Sequence, residues 1–301
     1  MNCRILVTVL TASLVATSPA ALAEEYPATA TERPGAVLLE PASNWNIDFA
    51  DNRCRLSRLF GSVDKPHLLF FEQAAPRSTF GVTLAGPELD RLKKTRRLKI
   101  GMERDKPMEQ LNLFNHGSVA QVGSAVIIGN YSIGESDAGE GEAALLTSAG
   151  IDLAVAETVD RIVLQKGKQV ISFETGSMMP PFQALNVYTS DLLREWGLDP
   201  EQHKSYVRPS WENSKTIVRR IQDAYPRRAL NSREQGIFRM RVIVEQDGSV
   251  SNCHLEKSTE TEKLESPACK EMRSAKFTPA RDSEGQPMRS FYATTITYAI
   301  N

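Results

Sequence analysis

The chain is short of the groups that announce chemistry most directly. Among 301 residues there are 4 histidines and 4 cysteines. His67, His116, His203 and His254 are scattered, without the close spacing that metal ligands show. No Gly-x-Ser-x-Gly elbow occurs, which excludes that way of presenting a nucleophilic serine. Ser62-Val63-Asp64-Lys65 has the letters of a Ser-x-x-Lys pair. Pro66 and β-type surroundings deny it the helix that would set the lysine beside the serine, and no Lys-Thr-Gly follows. Gly139-Glu140-Gly141-Glu142-Ala143-Ala144 imitates a dinucleotide fingerprint, but no strand precedes it and its glutamates would repel a pyrophosphate. A formal net charge of -1 gives no electrostatic reason for nucleic acid or an anionic surface as partner. The basic run Lys93, Lys94, Arg96, Arg97, Lys99 reads as a solvated face. After Ala23 no apolar run is long enough to cross a bilayer.

What is present begins with an export signal. Arg4 supplies a positive start, Ile5 to Ala16 an uncharged apolar core, and Pro19 a helix break before Ala21-Leu22-Ala23. Small residues at those positions suit a signal peptidase, so residues 1–23 are expected to be removed and the protein to reside in the periplasm. The alternative is an uncleaved signal that anchors the chain in the inner membrane. Export also agrees with the cysteine usage. Cys3 leaves with the signal, and Cys54, Cys253 and Cys269 remain, an odd number of which at most one pair closes within the chain.

Residues 24–40 mix Pro, Ala, Thr and Glu without apolar period and read as a disordered lead-in. From Trp45 onward, short alternating segments separated by Gly, Pro and Asp predict β strands. They include 45–49, 54–59, 67–71, 79–84 and 119–128, with a hairpin about Lys166-Gly167-Lys168. Helices are expected over Ala143 to Val155 and Phe182 to Trp196, the latter stopped by Gly197. A mostly antiparallel β domain over 41–200 follows, then a linker over 201–212.

The last third is the most patterned. Ile217, Val218, Ile221 and Tyr225 recur at helical spacing until Pro226. Phe238, Met240, Val242 and Val244 alternate with Arg239, Arg241, Ile243 and Glu245, as a half-buried strand does, and Asp247-Gly248 marks a hairpin back through Val250 to Leu255. Ser266-Pro267 predicts a helix start with Ser266 as cap. Tyr292, Thr294, Ile296, Tyr298 and Ile300 share one face of a final strand. Cys253 on the return strand and Cys269 in the next helix are near enough in sequence to form a disulfide across the sheet–helix interface; two buried thiols are the alternative.

Tyr225-Pro226 with Ala229, Gly236, Val242 to Val244, Asp247-Gly248-Ser249-Val250, Ser258-Thr259 with Leu264, and Phe277-Thr278-Pro279-Ala280 with Gly285 occur in an order that resembles the C-terminal domain of TonB-family energy transducers. The resemblance covers residues 213–301. It implies a small TonB/TolA-like domain with a three-stranded antiparallel sheet and two helices, which together with the mostly antiparallel β N-terminal domain read from the pattern makes an α+β chain. It further implies that an outer-membrane receptor or other envelope partner adds an extended segment to the sheet edge, main chain giving affinity and alternate side chains specificity. The matching positions are Gln222, Tyr225 and Pro226 together with Phe291, Ala293, Thr295 and Thr297 of the final strand. A homodimer through the same edge is the competing use, and Tyr225-Pro226 has the plainer reading of a helix end packed on the sheet.

The family's uncleaved membrane helix and long Pro-rich linker are not expected here, so the resemblance is expected to extend to the binding module and not to energy transduction in the full sense. Three readings follow: a periplasmic binding protein acting in transport across the outer membrane, a structural envelope module without a receptor, and an enzyme whose site lies in the N-terminal half. No cofactor and no metal is called for.

Overall fold

Strands of strongly alternating character pair with their sequence neighbours through most of the chain, because short hairpins bury one face of each strand at little loop-closure cost. The computed structural model describes residues 24–50, 53–134, 146–147, 150–259 and 261–298. Residues 1–23, expected from the sequence to be an export signal, and the Gly139–Ala144 run lie outside the described residues, as does Ile300.

Strands of three or more residues are numbered in chain order. The first sheet contains β2 (Asn46–Ala50), β3 (Arg53–Ser62), β4 (Lys65–Gln73), β5 (Thr79–Ala85), β7 (Asn115–Val119) and β8 (Gly123–Ser132), ordered β2-β3-β4-β5-β8-β7 and antiparallel throughout. Ser62 pairs with Lys65 across the β3–β4 turn, so the Ser-x-x-Lys letters mark a hairpin tip. The second sheet is built from β1 (Val37–Leu39), β6 (Lys99–Glu103), β9 (Val159–Lys166) and β10 (Gln169–Phe173), with Glu109–Gln110 at its edge, ordered β1-β10-β9-β6. The β9–β10 hairpin turns at Gly167, whose φ of 58° suits a residue without Cβ.

The lead-in over 24–40 is not disordered, contrary to the sequence expectation. It forms α1 (Pro27–Thr31) and β1, which runs parallel to β10 through Val37↔Ile171 and Leu39↔Phe173. Ala30 is fully buried in a cluster with Met108, Val163 and Val170. A three-residue strand and a one-turn helix lie below the length at which periodicity is detectable. The helix expected over Ala143 to Val155 is also corrected. Leu146–Thr147 is extended against Ser205–Tyr206, and α2 runs only from Leu153 to Glu157, with the Asp152 carboxylate accepting from the Ala154 and Val155 N–H groups. Asp152 is a strong N-cap, and it fixes the start that the Ala-rich composition obscured.

The long helix α3 (Met179–Glu195) begins at Pro180-Pro181, which suit a first turn, and places Phe182 and Leu185 in the main core. Phe182 lies 5.0 Å from Phe71 and 5.2 Å from Phe80, while Phe173 of the second sheet meets Phe60 of the first at 5.3 Å. Both sheets and α3 thus share one core. Cys54 is buried in it.

The segment expected as a linker makes specific pairings. Gln202–Lys204 is a single 3-10 turn, Val207 bridges to Arg281, and Ser210–Trp211 pairs with Phe277–Thr278. Beyond it come α4 (Ser214–Asp223), α5 (Arg227–Asn231), β11 (Gly236–Val244), β12 (Val250–Lys257), α6 (Ala268–Met272) and β13 (Ser290–Tyr298). The sheet order is β12-β11-β13, all antiparallel. The expected three-stranded sheet is present, with two helices, α4 and α6, and the extra five-residue α5.

Candidate functional site

The C-terminal sheet has two faces of different character. Phe238, Met240, Val242 and Val244 of β11 join Ile217, Ala268 and Met272 of the helices in one buried cluster, and Tyr292, Ile296 and Tyr298 of β13 pack on it. Gly248 tightens the β11–β12 hairpin. Its φ is 81°, and a Cβ there would lie 1.9 Å from the Phe277 carbonyl oxygen. Cys253 and Cys269 form a disulfide joining β12 to α6, with Cα atoms 5.5 Å apart. The Ser266 hydroxyl accepts from the Ala268 N–H at 3.3 Å, although Pro267 occupies the cap position itself.

Backbone directions identify the open edge. Ile237 donates its N–H to the Thr259 hydroxyl at 2.9 Å, and its carbonyl accepts from the Ser258 N–H at 2.8 Å, so both groups point toward the β12 side. Consecutive strand residues alternate, so Phe238, Met240 and Val242 direct theirs at β13, where their partners are Ile296, Thr294 and Tyr292. Phe291, Ala293, Thr295 and Thr297 therefore turn N–H and C=O away from β11, toward an edge that no strand occupies among the described residues. Thr295 and Thr297, two residues apart, point the same way.

Tyr225 and Pro226 have structural work here. The Tyr225 hydroxyl donates to the Glu234 carbonyl, its ring meets Tyr298 with centroids 5.2 Å apart, and Pro226 is the N-cap of α5. Gln222 is exposed on α4, with its carbonyl accepting from the Tyr225 N–H at 3.1 Å. The structure thus joins Tyr225 to the end of β13 and leaves Gln222 on the surface.

The opposite face of the sheet is covered by the N-terminal half, which the alternation alone did not reveal. Ile243 and Phe291 are 3% and 6% exposed and cluster with Ala75, Leu193 and Leu198. Arg239 reaches Glu72 of β4 at 2.6 Å, while Arg55 of β3 holds the other carboxylate oxygen through Nε at 2.9 Å. Burial opposes ionisation of Glu72, but the two guanidiniums outweigh it and hold the carboxyl below its usual range. Gly81 makes room for this contact; a Cβ would meet Arg239 Nη2 at 3.0 Å. Arg241 lies over the Trp196 ring, 3.9 Å from its centroid. The available signal was Ile243 and Phe291, two large apolar residues in register with the polar positions.

His203 sits at the same junction. Its Nδ1 is 2.7 Å from the Asp199 carbonyl oxygen and its Nε2 is 3.0 Å from the Ser290 hydroxyl, at the start of β13. Burial pushes its pKa down, against the Asp199 carbonyl and charge. Among the described residues no three His, Cys, Asp or Glu side chains are grouped so as to hold a metal, and no helix is long and apolar enough to cross a membrane.

Residues 221–300 match the family model described as Gram-negative bacterial TonB protein C-terminal. No curated protein and no solved structure matches the chain. The matched segment begins in α4 and holds the whole β12-β11-β13 sheet, so the similarity to a TonB C-terminal domain covers this sheet and not the N-terminal half.

Proposed function

We propose that this is a periplasmic protein whose TonB-type domain binds an extended segment of an outer-membrane receptor or another envelope partner by strand addition along β13. The observation that supports it is the outward row of backbone groups at Phe291, Ala293, Thr295 and Thr297. A partner strand would satisfy those groups in alternation and present every second side chain to the surfaces flanking the edge. The N-terminal half packs on the sheet face that holds the side chains of these four residues, so it frames the edge and supplies part of what a bound segment would touch. A role in transport across the outer membrane belongs to this reading, as does the export signal.

The test is titration of the exported chain with short receptor-derived peptides, with molecular mass measured in parallel. Proline at Thr295 removes an outward N–H without touching the β11 ladder, so Thr295→Pro is expected to weaken binding by at least about tenfold with little loss of stability. Thr294→Pro removes a ladder bond instead and lowers stability. Thr297→Ser leaves affinity nearly unchanged. A monomer that binds no such peptide would leave only a structural envelope module, and a doubled mass would point to the edge pairing with its own copy.

A further inference from the structure

One charged group near that edge has no counterpart. Arg55 and Arg239 both engage Glu72, but Arg77, four residues past the end of β4, forms no ion pair and its guanidinium no hydrogen bond among the described residues. Its surroundings are Arg208 and Arg239, which repel it, and the hydroxyl-bearing rings of Tyr206 and Tyr292. Arg77, Arg208, Tyr206 and Tyr292 line a cleft of about 190 Å³, whose remaining wall includes Phe291, Ala293 and Thr294 of β13. Ala293 contributes almost no side-chain bulk, which keeps the wall beside the outward backbone groups low. Burial and the neighbouring guanidiniums push the Arg77 pKa down, a cost that an anion would reverse.

We propose that this cleft is a carboxylate-binding site in which Arg77 is the principal donor and the Arg208 and tyrosine groups complete the polar wall. A planar guanidinium matches a flat carboxylate with two parallel hydrogen bonds, which is the geometry that favours this class of anion at Arg77. The carboxylate has two available sources: an acidic side chain of a segment paired along β13, or a free small dicarboxylate. The first rests on the strand-addition reading; the second does not.

Calorimetric titration of the full exported chain separates the cases. The probes are a short Val/Thr-rich peptide with one central Glu, the same peptide with Gln, and succinate. The expected result is that the Glu peptide binds about tenfold tighter than the Gln peptide, and that Arg77→Gln removes the difference while leaving the Gln peptide unaffected. Succinate binding that is lost in Arg77→Gln supports the site with a free carboxylate as ligand, even where neither peptide binds and strand addition fails. Equal affinity for the two peptides with no succinate binding overturns the carboxylate site while leaving strand addition standing. If none of the three probes binds, both fail. The comparison of the two peptides on the unaltered chain keeps the test decisive if Arg77→Gln folds poorly.

Discussion

His203 shows how a single side chain ties stability to acidity. Its folded pKa lies below the ordinary value of 6.5, so the unfolded chain takes up a proton more readily than the folded one. Stability from this group is fully present above that pH and is lost as pH falls through the depressed folded value. His67 and His254 are shifted the same way, His67 by burial and His254 by burial with Arg241 nearby. Thermal melts are therefore expected to drop as pH falls below about 6.5, the ordinary histidine value, and again below about pH 4.5, where Glu72 loses the ionised form that its arginines hold. His203→Gln should flatten the upper part of that profile; an unchanged slope would assign it to the other two histidines. Cys54 behaves differently. Burial, with Asp48 nearby, pushes its thiol up to about 12, so a thiol reagent should label it only after unfolding.

At the scale of elements, the β12–α6 disulfide closes a loop between cysteines 16 positions apart. Replacing both cysteines by serine is expected to cost about 3 kcal/mol, measured as a fall in the urea midpoint without change of slope. A loss under about 1 kcal/mol would mean that packing of Met272 and Ala268 already fixes the helix. The strands of this region were legible because their alternation, the Asp247-Gly248 turn and the helix periodicity of α4 all agree. The start of α6 was read one residue early, since Ser266 does accept the Ala268 N–H but Pro267 takes the cap geometry. Other features were illegible for a physical reason. Alternation reports that two faces differ, and it does not report what lies against the more polar one. Arg239 and Arg241 read as solvent-facing, yet their long stems and charges are spent on Glu72 and Trp196. The edge direction of Thr295 needed two hydrogen bonds at the far end of β11, which no sequence pattern supplies.

On the scale of the whole molecule, the N-terminal half and the C-terminal unit are fastened by apolar contacts about Ile243 and Phe291 and by the Arg55–Glu72–Arg239 network. Ile243→Asp would bury an unpaired carboxylate there, at a cost of about 3 kcal/mol or more. The expected outcome is separation of the halves, read as faster proteolysis between Leu198 and Trp211, while the β12-β11-β13 sheet keeps its own core. Unchanged cleavage would show that the pairings of 205–211 suffice to hold the halves together.

The same disulfide has a topological consequence. The arc from Cys253 to Cys269 is a closed covalent ring, so one cut of the backbone anywhere within it opens the ring without releasing a fragment. A protease that nicks this arc would leave a chain of unchanged mass, apart from one added water, until a reductant divides it in two.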